Sequence, residues 1–332
     1  MLNAKNSIEI KQNTPTEKKQ NIFKRLYSFK EAPIFSALAT LCIIISILSP
    51  YFLTINNIFN VLRQFAVIAI LAVGQGLIII TGGIDLSVGA LLGLMGVITA
   101  LLASGGLHAS IVFVVCIIAG CIIGSLNGLL ITKVRINPFI VTLGMMSVYK
   151  GVALLITGGL PISIDNSIIF LGSGYIGPIP VSVIIMVIIA VIGYIFATKT
   201  LLGRNIYAVG NNERAAKLSG IRVDNVKIIV YTIMGGLCAL SGIILSGTLA
   251  TAEPAAGTGY ELDVIAAVVI GGASLAGGRG SIIGVILGAA IMGVLRNAFV
   301  LLQISAYWQV VTIGVVIIAA VALDSIKNRN KN

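Results

Sequence analysis

Hydrophobic residues make up 58% of this 332-residue chain and charged residues only 10%, against roughly 45–50% and about 25% in soluble domains. A soluble domain of this size buries only about 75% of its surface, too little to hide so much apolar material, and the same figures exclude disordered, collagen-like and disulfide-rich chains. The net charge of +11 does not indicate a nucleic-acid surface, because 18 of the 22 Lys and Arg fall in four patches: the first 30 residues, Lys133 with Arg135, Lys199 to Lys227, and Lys327 to Lys331. Basic clusters separated by long uncharged runs follow the positive-inside rule of membrane proteins.

Residues 1–31 are polar and basic, and Pro33 to Leu53 then supplies about 21 residues, enough to span roughly 30 Å of hydrocarbon. With no short apolar stretch and cleavage site at once, this reads as a first transmembrane helix behind a cytoplasmic tail rather than a signal peptide. Further apolar spans follow at approximately 60–80, 88–104, 109–131, 138–157, 179–198, 227–249, 263–276, 281–302 and 308–323. Counting from an inside N-terminus places 132–137, 199–226 and the C-terminal tail in the cytoplasm, and those are the basic patches. The outer loops at about 158–178 and 250–262 hold Asp165, Glu253 and Glu261 but no Lys or Arg. Count and charge bias are independent, and they agree.

Cys42, Cys116, Cys121 and Cys238 all sit inside apolar runs and read as small core residues. Glycine punctuates the chain at two similar places, Gly82-Gly83-Ile84-Asp85-Leu86 and Gly271-Gly272-Ala273-Ser274-Leu275. Paired glycine interruptions in the two halves of a membrane protein mark broken helices beside a transport site, or else two ordinary turns. A second echo, Gly120, Gly124 and Gly128 against Gly280, Gly284 and Gly288, is a small-xxx-small ladder for tight helix packing.

The chain offers little chemistry of its own. His108 is the one histidine, no G-x-S-x-G elbow is present, and no G-x-x-x-x-G-K-[ST] phosphate loop is present. Arg63, Asp85, Lys150, Asp263 and Arg296 are the charges near apolar spans. Arg63, Lys150 and Asp263 lie near enough to span ends to snorkel. Asp85, two residues before Ser87 in the glycine break, either caps the following helix or lines a passage. So few buried acids favour passage of a neutral solute driven from elsewhere over a proton- or sodium-coupled carrier.

In the loop 199–226, Asn212 is placed to cap a short helix with Glu213 at its positive end, Lys217 near its other end and Gly220 terminating it. So short a helix is unstable alone in water. It is either a capped element of a connecting loop or a small protrusion fitted to a partner's groove.

These residues resemble the coupling helix of permeases from ATP-binding-cassette importers. The chain is more specifically similar to the ribose/xylose/arabinose/galactoside permease family. The matching stretches are Thr54 to Asn57, Thr81 to Gly89, Leu202-Gly203-Arg204, Arg214 to Ile221, and Ala256 to Asp263 through Gly271 to Gly278. Relatives commonly carry two alanines directly after the motif glutamate, whereas here Arg214 intervenes before Ala215-Ala216.

The resemblance implies an all-α polytopic membrane protein of about ten transmembrane helices, with both termini cytoplasmic and glycine-broken helices in both halves. Its parts would be a tail 1–32, a permease domain 33–324 containing a coupling loop 199–226, and a tail 325–332. It implies a non-enzymatic subunit that works as a dimer with a second copy or a paralogue, embedded in lipid in the inner membrane. An ATPase subunit would bind ATP and Mg below, and an extracytoplasmic sugar-binding protein would dock above. This chain would hold no cofactor or metal. Residues Asn212, Glu213, Arg214, Ala215, Ala216, Lys217, Leu218, Ser219 and Gly220 would contact the ATPase. Gly82, Gly83, Asp85, Ser87, Gly271, Gly272 and Ser274 would border the passage, and Glu253 with Glu261 would receive the binding protein. Ribose is the expected cargo. The competing readings are another small ligand (xylose, galactose, a furanosyl signal such as autoinducer-2), a self-contained secondary carrier, and an intramembrane enzyme.

Overall fold

From Phe65 to Ile80 every residue is buried, and a helix that is apolar all round belongs at the centre of a bundle. This stretch is the second half of α2 (Ile55–Ile80) in a computed structural model that describes residues 31–164 and 168–329, with side chains to residue 322. The basic N-terminal arm to residue 30, Asp165 and the side chains of the C-terminal basic patch lie outside the described residues. In chain order, α1 (Ala32–Leu48) leads into α2, followed by α3 (Val88–Ser104), α4 (Ala109–Thr132) and α5 (Pro138–Thr157). After β1 (Ile162–Ser163) come α6 (Ile169–Ser173), β2 (Tyr175–Ile176), β3 (Ile179–Pro180) and α7 (Val181–Lys199). The chain continues through α8 (Leu201–Asn211), α9 (Glu213–Leu218), α10 (Val223–Leu249), β4 (Thr251–Ala252), α11 (Tyr260–Ile270), α12 (Ile282–Leu301) and α13 (Ala306–Arg329).

Six of the described helices, α2, α4, α5, α7, α10 and α12, are long and apolar enough to cross a membrane. Of the others that carry expected spans, α1 and α3 have 17 residues each, and α11, with 11 residues, reaches only about 16 Å at 1.5 Å per residue. The first expected span stops at Leu48 rather than Leu53, and the eighth stops at Ile270 rather than 276. The second begins five residues early, at Ile55. Its first turn tolerates buried Asn57 because that amide exchanges hydrogen bonds with Asn297 of α12 at 2.8 and 3.0 Å and donates to the Phe52 carbonyl at 2.9 Å.

The strongest packing joins α4 and α10. Each glycine of the first ladder is seated against α10 backbone: Gly120 and Gly124 meet Gly235, and Gly128 meets Ile228. In the second ladder Gly284 and Gly288 press on the end of α11 at Gly271 and Ala267, while Gly280 meets Ile80 and Ala273. Glycine lets backbones approach where an apolar solvent offers no other drive to associate. By contrast α4, α5 and α7 leave Ile118, Ile122, Leu155 and Ile192 exposed, as lipid-facing surfaces require.

At one end of the bundle Lys133 pairs with Asp224 at 3.1 Å, and Lys227 of α10 pairs with Glu213 of α9 at 2.8 Å. At the other end two short antiparallel pairs close the loops, β1 on β4 and β2 on β3.

Candidate functional site

The protruding element is built as its sequence dictates. Thr200 accepts from the Gly203 amide at 2.9 Å and starts α8, which then ends at Asn211. Asn212 turns extended, and its Oδ1 accepts from the Ala215 amide at 3.0 Å, capping α9. Glu213 reaches Lys227 on α10 at 2.8 Å, which ties the short helix to a long one. At the far end Gly220 takes φ +84°, with its amide on Lys217 and the Ile221 amide on Ala216, the Schellman stop that glycine permits. Asn212, Glu213, Arg214, Ala215, Lys217, Leu218, Ser219 and Gly220 are all exposed, whereas Ala216 turns inward. Leu218 is 89% exposed, an uncovered large apolar side chain at the tip of a six-residue helix.

Behind this protrusion lie two glycine breaks that are built alike. Gly82 and Gly272, both at φ +82°, end α2 and α11 with the same pair of hydrogen bonds: Gly82 to Ile79 and Gly83 to Ile78, then Gly272 to Val269 and Ala273 to Val268. The repeat is therefore a matched pair of Schellman ends. Its true register is one residue off the one that the glycine doublets suggest, with Gly82 equivalent to Gly272. The Gly278 amide donates to the Ile80 carbonyl at 2.9 Å, and Gly277 lies against Gly82. The C-terminal end of α8 closes the junction: a Cβ on Gly210 would strike the Ile80 carbonyl and the Gly278 amide, and Tyr207 donates to the Gly280 carbonyl at 3.1 Å. A cavity of about 710 Å³ lies between α1, Tyr207 and Gly271, Gly272, Gly278 and Ser281.

Asp85 and Ser87 do not open onto that cavity. Both are buried, and Asp85 Oδ1 accepts from the Ser87 amide at 2.8 Å and the Ser87 hydroxyl at 2.6 Å. Asp85 thus caps the turn that starts α3. Asn127 of α4 donates to Ser87 Oγ at 3.1 Å, and Tyr149 of α5 donates to Asn127 at 2.8 Å. Tyr231 of α10 reaches the Ile84 carbonyl at 3.2 Å. Ser274 is also buried, its amide held by the Arg279 carbonyl at 3.0 Å. The expected passage residues thus fall into two groups, glycines at the α8 junction and a polar cluster on Asp85.

Glu253 is exposed near β4, as an outer docking residue would be. Glu261 turns inward: its Oε1 accepts from the Gly259 amide at 3.2 Å, and with Ser147, Lys150 and Thr258 it lines a cavity of about 230 Å³ against α3. Among the described residues no three His, Cys, Asp or Glu side chains gather as metal ligands would.

Sequence reasoning missed Asn127, Tyr149, Tyr231 and Tyr207. A polar side chain inside an apolar span needs a partner, so Asn127 within 109–131 was a readable signal. Its partner was not readable, since the pairing is tertiary. Tyr207 belongs to α8, which was taken as part of a loop.

A capped protrusion joined to a glycine turn inside an apolar bundle fits a membrane transport permease. The chain matches the family described as branched-chain amino acid transport system / permease component over residues 57–321, and it belongs to that family. The chain is 46% identical over 296 residues to the ribose import permease protein RbsC of Escherichia coli (strain K12), covering 88% of this chain and 92% of that one. It is 45% identical over 297 residues to RbsC of Bacillus subtilis (strain 168), with 89% and 92% covered. It is 40% identical over 297 residues to the D-allose transport system permease protein AlsC of Escherichia coli (strain K12), with 87% and 90% covered. No solved structure matches the chain. The protein is a multi-pass membrane permease subunit of an ABC transport system, not an enzyme.

Proposed function

We propose that this subunit carries ribose inward, delivered by an extracytoplasmic binding protein and powered by an ATPase subunit on which α9 docks. The single observation that carries the power stroke is the seat of α8: the helix that leads into exposed α9 rests on the end of α2 at Ile80 and on the 277–280 loop that leads into α12. Any displacement of α9 therefore reaches the Gly82 turn and that loop without passing through a flexible linker. Leu218 is the apolar knob of the contact, with Glu213, Arg214, Ala215 and Lys217 around it, because a central apolar anchor inside a polar rim is how interfaces gain affinity. Ala216 supports the helix from within. ATP and Mg bind the ATPase, and none binds this chain.

A second copy or a paralogue completes the passage. Gly144 and Gly151 of α5 face open space, and Lys150 on the same helix is exposed. Lys150 lies twelve residues after Pro138, about 18 Å along the helix, and lines a cavity with Glu261; opening that cavity to hydrocarbon would be costly for the ammonium. A partner helix, with a wet passage between the copies, removes that cost. The Asp85 cluster then holds the turn before α3 rigid, the glycines at 82–83 and 271–272 allow the ends to move, and Glu253 receives the binding protein while Glu261 looks into the passage. D-allose is the second reading, on the likeness to AlsC.

The test is uptake of labelled ribose into proteoliposomes with the ATPase and binding protein added or withheld. Ribose accumulation that needs ATP and both partners, and that Leu218→Ser lowers together with ATPase co-purification, is the expected result. Accumulation by the chain alone would overturn the reading, and preference for allose over ribose would shift the cargo.

A further inference from the structure

At the end of the bundle away from α9, a cavity of about 380 Å³ opens between α2, α10, α11, α12 and α13. Two guanidinium groups line it, Arg63 and Arg296, with Thr248 and Gln309 as neutral polar neighbours. Arg296 forms an ion pair with fully buried Asp263 and lies 5.2 Å from the Tyr260 ring centroid. Arg63 donates to the Tyr175 hydroxyl and lies 4.8 Å from that ring. One carboxylate faces two guanidiniums, so the cavity keeps a net positive charge. The Nε atoms of both arginines are shut off from solvent and meet no acceptor among the described residues, so contact with a ligand falls to the outer guanidinium nitrogens.

Depth and rim indicate what matches them. Arg63 lies eight residues into α2 and Arg296 five residues from the end of α12, roughly 12 and 8 Å below the helix ends. A flat docking partner would sit higher. Exposed Tyr307 and Trp308 at the start of α13 mark this end of the bundle as the interfacial one, since aromatic side chains collect at a membrane interface. The mouth is edged by Leu249 and Val300, both exposed and apolar. A cationic floor, an apolar mouth and interfacial depth together fit a charged head joined to acyl chains.

We propose that this cavity binds the headgroup of an anionic phospholipid, its phosphate held by Arg63 and Arg296 and its chains leaving past Leu249 and Val300. The guanidinium fork suits phosphate oxygens in a way an ammonium does not.

Native mass spectrometry of the purified chain, titrated separately with phosphatidylglycerol, phosphatidylcholine and inorganic phosphate, tests it. One phosphatidylglycerol retained per chain in preference to phosphatidylcholine is expected, with Arg63→Gln weakening retention about tenfold and Arg63→Lys weakening it less. Val300→Trp, which narrows the mouth and leaves both arginines in place, gives the same loss and keeps the proposal testable should Arg63→Gln not fold. Equal retention of the two lipids, or full retention by folded Arg63→Gln and Val300→Trp, overturns the proposal. Inorganic phosphate that displaces the lipid at low millimolar concentration would make the site one for a free anion and overturn it equally, as would retention seen only when an acidic partner protein is bound.

Discussion

The two ends of the bundle are held together by different physics. At the α9 end the inner joints are backbone on backbone, with Gly210 against Ile80 and Gly278, Gly277 against Gly82, and a hydrogen bond from the Gly278 amide to the Ile80 carbonyl, while the ion pairs Lys133–Asp224 and Glu213–Lys227 lie outside them. At the opposite end they are charged side chains, with Asp263 on Arg296, and Arg63 and Arg296 each over a tyrosine ring. Close glycine contacts transmit displacement because no side chain stands between the two backbones to yield. A buried ion pair resists displacement because separating it strands a charge in a medium that cannot solvate it. The contrast assigns movement to the α9 end and anchorage to the other.

The largest effect should come from breaking the anchor. Arg296→Gln leaves Asp263 buried and unpaired, which costs about 3–5 kcal/mol, read as a fall in thermal stability in detergent. Adding Asp263→Asn to it should recover most of the loss, and a double variant no more stable than Arg296→Gln would show that the pair does not act as an anchor. A smaller effect is expected at Asp85. Asp85→Ala removes the cap on the turn before α3 and should cost about 1–2 kcal/mol, while Asp85→Asn keeps an acceptor and should keep both fold and uptake. Uptake lost in a well-folded Asp85→Asn would instead place the charge in the passage. The smallest change is expected for Lys133→Ala, because the Lys133 to Asp224 pair has side chains 58% and 50% exposed and such pairs contribute at most about 1 kcal/mol. A larger shift in the melting temperature would mean that the α9 end too is pinned by charge.

Much of this was legible in the chain itself. The helices at 88–104 and 138–157 are bounded as their apolar runs are, because Ser87, Gly105, Asn137 and Gly158 interrupt them with residues suited to helix ends. The α9 cap and stop were legible too, since Asn212, Glu213 and Gly220 act on neighbours a few residues away. The face that α9 turns outward was not: of its two alanines packing leaves Ala215 exposed and buries Ala216, and it leaves Leu218 bare. The glycine repeat was visible but misregistered, because letters align the doublets whereas backbone conformation aligns Gly82 with Gly272. Pairs such as Asn57 with Asn297 or Asp85 with Asn127 depend on which helices become neighbours, and no local pattern encodes that.

The central claim is that α8 carries the motion of α9 to the Gly82 turn and the 277–280 loop, and Gly210→Val tests it most directly by placing bulk where α8 meets both. ATP hydrolysis and ribose uptake should be measured together in proteoliposomes containing the assembled transporter. Hydrolysis that continues while uptake falls at least about tenfold is the expected result. Uptake and hydrolysis that both remain at the wild-type level in a folded Gly210→Val variant would contradict it.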